Sequence, residues 1–128
     1  MTVNETVVPS FKSVRALREY CAKSPIPVLL DFTATWCAPC RAMKAPLDKL
    51  SKHFGDKLQI LQIDIDKAPR IARAFDVMAV PSLILMSRKK ALLRLEGAHS
   101  FTEMKKALEK HLAPPDADGT DDEDDTRA

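Results

Sequence analysis

Two cysteines, Cys37 and Cys40, stand three positions apart in the stretch DFTATWCAPC, and Asp31 interrupts the apolar run PVLLDF just before them. Both features point to chemistry. At this spacing the two sulfurs can share the first turn of a helix, close enough to bridge. The unpaired N–H groups and the positive end of the helix dipole favour an anion there, so a thiolate at Cys37 is stabilised, and the thiolate is the nucleophile. Cys40, one turn in, is expected to be the more buried of the two and to stay a thiol until needed. Pro39 fixes the backbone between them and supplies no amide donor. Trp36, immediately before, is placed to shield the sulfurs from water. Such a pair can attack a partner's disulfide through Cys37 and release the reduced partner when Cys40 attacks Cys37. The second attack needs Cys40 to lose its proton. Asp31, poorly solvated among apolar neighbours, is expected to titrate high and to act as the general base.

Other uses of these residues compete. A lone CxxC offers two ligands where zinc wants four, and neither Cys21 nor His53, His99 and His111 falls at a matching spacing, so no metal is expected. A purely structural disulfide closing so short a loop contributes little to stability. Asp31 as a buried carboxylate satisfied by hydrogen bonds is the plainer alternative to a base. Cys21 falls on the apolar face of a helix and reads as a small core residue, with a regulatory thiol as the alternative.

The chain has 128 residues, 45% hydrophobic and 30% charged, enough for one soluble domain with a real core. No apolar stretch approaches the roughly eighteen residues of a membrane span. The N-terminus, MTVNETVVPS, lacks the basic and apolar regions of a secretory leader, so the cytoplasm is the expected location. Residues 116–128 hold seven acids against Arg127 alone, a charge of −6 that leaves +8 on the rest of a chain whose net is +2. The basic residues are spread rather than clustered and no nucleic-acid motif occurs, so a solvated surface is expected and nucleic acid is not.

The elements that must hold the cysteines follow from periodicity. Residues 2–8 read as an edge strand ended by Pro9, and Ser10–Ala22 as a helix with Val14, Leu17 and Cys21 on one face. Val28–Thr33 reads as a buried strand. One long helix is expected after the cysteines, striped by Met43, Leu47, Leu50 and Phe54, kinked at Pro46 and stopped at Gly55. A strand over Leu58–Ile65, a short helix from Pro69 to Phe75, and a hairpin of Leu83–Met86 and Ala91–Leu95 about the turn Ser87–Lys90 come next. Ser100 and Glu103 form a capping box for a last helix carrying Phe101, Met104, Leu108 and Leu112, which Pro114–Pro115 ends. The order predicts an α/β fold, a mixed sheet with helices on both faces, over residues 1–113, and a disordered acidic tail over 114–128.

Taken together, WCAPC with Asp31 upstream, the IDID segment from Ile63 to Asp66, the later MAVPS, the hairpin and EGA before the last helix resemble the thioredoxin family over most of residues 2–113. The resemblance implies the thioredoxin fold, a central mixed β-sheet flanked by four helices. It implies Cys37 as nucleophile, Cys40 as resolving cysteine and Asp31 as the family's buried aspartate. It places Pro81, after Val80, at the family's cis-proline, in a loop that faces the cysteines and pairs with the substrate chain. Trp36, Ala38, Pro39, Val80, Gly97 and Ala98 fall on the implied substrate-docking surface. Departures from the family pattern are Ala38 for the usual glycine, Thr33 for a frequent second aromatic, Gln62 for a lysine that often neighbours the aspartate, and an acidic tail.

The function expected is thiol–disulfide oxidoreductase, a protein-disulfide reductase contributing to cell redox homeostasis. It would need no tightly bound cofactor, take electrons from NADPH through a thioredoxin reductase, act on disulfide-containing proteins and work as a monomer. Pro39 before Cys40, rather than the histidine typical of disulfide isomerases, favours reduction over oxidation. The competing expectation is a binding or chaperone module that holds partners on the rim formed by Trp36, Ala38, Val80 and Gly97 without redox turnover.

Overall fold

A computed structural model of the chain describes residue 11 and residues 13–112. The expected N-terminal strand at 2–8, the terminating prolines and the acidic tail lie outside the described residues.

The elements are α1 (Val14–Lys23), β1 (Val28–Thr33), α2 (Ala38–Ala42), α3 (Lys44–Phe54), β2 (Gln59–Asp64), α4 (Pro69–Ala74), β3 (Ser82–Ser87), β4 (Lys90–Glu96) and α5 (Phe101–Glu109), with a 3₁₀ turn at Gly55–Lys57. The four strands run in the order β2-β1-β3-β4. β1 pairs parallel to β2 and antiparallel to β3, and β3 and β4 form an antiparallel hairpin. The β1-to-β2 connection crosses over through α2 and α3, which is what parallel pairing demands.

Alternation along the strands sorts side chains to two faces. Val28, Leu30 and Phe32 of β1 pack with Leu17 and Cys21 of α1 and with Ile71 of α4. Leu29, with Leu83 and Leu85 of β3, packs on the other face against Leu47 and Leu50 of α3 and Met104 and Leu108 of α5. Asp31 falls on this second face. Cys21 is buried and its thiol is pushed up to about 11, chiefly by that burial. It behaves as a core residue.

Caps hold the helices in register. The Ser13 hydroxyl accepts the Ala16 N–H at 3.0 Å, and Ser100 and Glu103 close a reciprocal capping box. The single helix expected after the cysteines is instead two, broken at Met43. Pro46 explains the position. A helix would need its N–H to reach the carbonyl of Ala42, and a proline has none and crowds that carbonyl as well. The disruption therefore appears a turn before the proline. Gly55 caps α3 with φ +55°, a conformation costly for any residue with a side chain. The hairpin turn is tighter than expected, with Arg88 and Lys89 between the strands.

Candidate active site

Three segments converge on the cysteines: the turn that leaves β1, the loop that enters β3, and the loop that follows β4. In the first, the Cys37 N–H donates to the Ala34 carbonyl at 3.2 Å, which turns the chain out of the strand. Cys37 is the N-cap of α2 and its sulfur accepts the backbone N–H of Cys40 at 3.2 Å. Pro39 sits in the first turn, where a missing N–H costs no helical hydrogen bond. The Cα atoms of Cys37 and Cys40 are 5.2 Å apart and the sulfurs are joined as a disulfide. Arg41 clasps the turn from behind, donating from Nη1 to the Thr35 carbonyl at 2.7 Å.

Burial of the two sulfurs departs from expectation. Cys40 is 9% exposed and Cys37 4%, so the first cysteine is not the more open one. Cys37, bonded to Cys40, packs in one buried cluster with Ala34, against which Ile65 and Val80 lie. Those three side chains supply the apolar cover. Trp36 stands 64% exposed, with its indole Nε1 donating to Asp66 Oδ2 at 2.8 Å. Asp66 is itself set by a tight turn in which its N–H donates to Asp64 Oδ1 at 2.8 Å.

The Val80–Pro81 peptide bond is cis. The Val80 carbonyl oxygen lies 3.7 Å from Cys37 Sγ. Pro81 is buried, and its carbonyl accepts the Gly97 N–H at 2.8 Å, which joins the loop after β4 to the loop before β3. Gly97 takes φ +84° to do so. Ala38, Pro39 and Ala98 are exposed around this junction. The His99 N–H reaches Met43 Sδ at 3.4 Å, so the same loop also rests on the break between α2 and α3.

Asp31 lies beneath, 4% exposed, and lines one groove with Cys40. Loss of solvent drives its carboxyl up to about 6, and a hydrogen bond from the Gln62 side chain offsets only part of that. No group of three or more His, Cys, Asp or Glu side chains among the described residues is arranged to hold a metal.

Several site residues carried no signal readable in sequence. Asp66 falls inside the IDID segment, yet its bond to Trp36 spans thirty positions. Arg41 is one surface arginine among many until its bond to Thr35 is seen. Met78, 86% exposed on the loop leading to Val80, is an apolar side chain in water beside the site.

Comparison with known proteins places this geometry. The family model described as Thioredoxin matches residues 9–110. A thioredoxin-like protein of Synechocystis is 36% identical over 91 residues, covering 71% of this chain and 87% of the relative. Chloroplastic thioredoxin Y of Oryza sativa is 38% identical over 94 residues, covering 73% of this chain and 56% of the relative. Among solved structures, a thioredoxin from Nicotiana alata superposes with a TM-score of 0.69 at 28% identity, covering 77% of this chain and 84% of that one. A mutant thioredoxin from Halobacterium salinarum reaches a TM-score of 0.71 at 22% identity, covering 85% and 90% of the two chains, and speaks to the fold alone.

Proposed function

This chain belongs to the thioredoxin family and is a thiol–disulfide oxidoreductase that reduces protein disulfides; we propose that Cys37 is its nucleophile, Cys40 its resolving thiol and Asp31 its general base. The observation that carries the assignment is the Cys37–Cys40 disulfide at the start of α2, with the Cys40 N–H aimed at Cys37 Sγ.

In the reduced protein the Cys40 N–H stabilises a thiolate on Cys37. That thiolate attacks one sulfur of the partner's disulfide. The S–S bond breaks, the partner's other sulfur leaves as a thiolate and takes a proton, and a mixed disulfide joins Cys37 to the partner. Cys40 then gives its proton to the Asp31 carboxylate and attacks Cys37 Sγ. The mixed disulfide breaks, the partner's second sulfur leaves and is protonated, and the Cys37–Cys40 disulfide forms. Two electrons have passed to the partner.

The surroundings support these roles. The partly buried Val80 carbonyl next to Cys37 Sγ is the proposed acceptor for an extended substrate backbone. Gly97 and Ala98 continue the same surface, and Trp36, Ala38 and Pro39 border it. The electrons for the next cycle are proposed to come from NADPH through a thioredoxin reductase, with the disulfide itself as the redox group and no tightly bound cofactor. A monomer working in a reducing compartment, the cytoplasm, for redox homeostasis suits this chemistry. The chloroplastic address of the rice relative is the competing location. A binding module without turnover is not favoured, since it would need neither a bridging Cys40 nor a buried Asp31.

Insulin-disulfide reduction tests the assignment, with dithiothreitol and separately with NADPH plus a thioredoxin reductase. Turnover with both, abolished by Cys37→Ser, is the expected result. Turnover with dithiothreitol alone would point to another electron donor. No turnover with either would sink the reductase assignment.

A further inference from the structure

Among the described residues three large apolar side chains are exposed: Tyr20 on α1 at 37%, Trp36 at 64% and Met78 at 86%. Two of the three stand beside the same sulfur. Trp36 immediately precedes Cys37, and Met78 stands two positions before Val80, whose carbonyl oxygen lies 3.7 Å from Cys37 Sγ. Two extended residues span at most about 7 Å, so covalent geometry alone keeps the Met78 backbone close to the site. Its loop is tied down on both sides. Before it, Arg94 donates to the Phe75 and Asp76 carbonyls, and the Val77 N–H donates to the Ala72 carbonyl at 2.9 Å. After it, the Ser82 hydroxyl donates to the Ala79 carbonyl at 2.7 Å. Val77 and Val80 pack against the buried cluster that holds Phe32 and Ile71. A hydrogen-bonded backbone thus holds Met78 in water, where an apolar side chain gains nothing from folding.

We propose that Met78 is a specificity-determining residue, which favours protein disulfides flanked by large apolar side chains. The selectivity rests on the reductase function and names a class of substrate for it. A substrate backbone bonded to the Val80 carbonyl runs alongside the Met78–Val80 segment. The side chains next to its reacting cysteine therefore come within reach of the thioether. Contact there removes apolar surface from water on both partners. Methionine is unbranched and polarizable, with three rotatable side-chain bonds, so it adapts to leucine and phenylalanine alike. Charge offers no comparable handle on this loop: Arg73 and Asp76, the nearest charged residues before Met78, are exposed and of opposite sign.

The test uses the full chain, reduced beforehand to the Cys37–Cys40 dithiol, and three cystine peptides that differ only in the residues flanking the disulfide: leucine, phenylalanine or glutamine. Each reaction reduces the peptide disulfide to two thiols and oxidises the protein dithiol to its disulfide, so no other reductant enters. The second-order rate constants for the leucine and phenylalanine peptides are expected to exceed that for the glutamine peptide by about tenfold. Met78→Gln, with its fold checked by circular dichroism, should shrink that gap to about threefold, the remainder belonging to Trp36. Met78→Leu should keep it. Equal rate constants for the three peptides in the native protein would overturn the proposal. So would a gap that survives Met78→Gln undiminished, or one that Met78→Leu removes as fully as Met78→Gln does. Failure to reduce any of the three peptides would instead remove the reductase function, and the selectivity with it.

Discussion

Asp31 and Gln62 stand opposite each other across the parallel β1–β2 pair, and the Gln62 side chain hydrogen-bonds the Asp31 carboxyl. A neutral amide beside a carboxyl 4% exposed stabilises its charge far less than a cation would. Burial therefore dominates, and the carboxyl titrates at about 6. The same fact governs both turnover and stability.

For turnover, Asp31 accepts the Cys40 proton only as a carboxylate. The rate of mixed-disulfide resolution is expected to rise as pH passes through about 6. Asp31→Asn should abolish that inflection and slow resolution by about 10²-fold. Rapid-quench kinetics of a preformed mixed disulfide read this directly, and an unchanged profile in the variant would remove Asp31 from the mechanism.

For stability, the sign runs the other way. The folded state holds the Asp31 proton more tightly than the unfolded chain, whose carboxyl titrates at its ordinary value of 3.8. Stability from this group is complete below that value and is lost as pH rises through about 6. The difference of roughly two pH units corresponds to about 3 kcal/mol. Asp31→Asn should therefore raise the melting temperature of the oxidised protein at pH 7 and change it little at pH 4. Equal melting of variant and native protein at pH 7 would contradict the burial argument.

What the sequence showed of this site, and what it hid, follows from distance along the chain. Asp31 was legible because a charge inside an apolar run has to be explained locally. Cys37 and Cys40 were legible because their spacing alone sets their geometry. The stripe from Met43 to Phe54 revealed the face that α3 buries, whereas the break at Met43 depends on which carbonyl Pro46 fails to reach, four residues back. The burial order of the two cysteines is not set by their spacing, because their cover, Val80 and Ile65, comes from segments distant in the chain. The bonds from Trp36 to Asp66, Arg41 to Thr35 and Gly97 to Pro81 join segments brought together only by the fold.

The Trp36–Asp66 bond offers an optical readout, since Trp36 is the chain's one tryptophan. Asp66→Asn keeps the size of the side chain and removes the charge that strengthens the bond. It should shift the intrinsic fluorescence and raise KM for insulin a few-fold with kcat preserved, because the indole borders the docking surface without touching the exchanging sulfurs. A fluorescence spectrum identical to that of the native protein would show that the bond does not hold the ring in solution.

Gly97 separates a backbone effect from a crowding effect. A Cβ built on it meets nothing within 4 Å, so space is not the constraint. Its φ of +84° is, and Gly97→Ala should cost about 1 kcal/mol of stability from that strain alone. The strain acts where the Gly97 N–H holds the Pro81 carbonyl, so the same substitution should raise KM for a protein disulfide. Gly55→Ala supplies the comparison. It has the same open surroundings and a φ of +55°, but it lies at the end of α3, away from the cysteines. Thermal melts of the two variants should therefore fall together, while insulin reduction separates them. A KM unchanged by Gly97→Ala, alongside a lowered melting temperature, would confine Gly97 to folding and take the loop after β4 out of substrate docking.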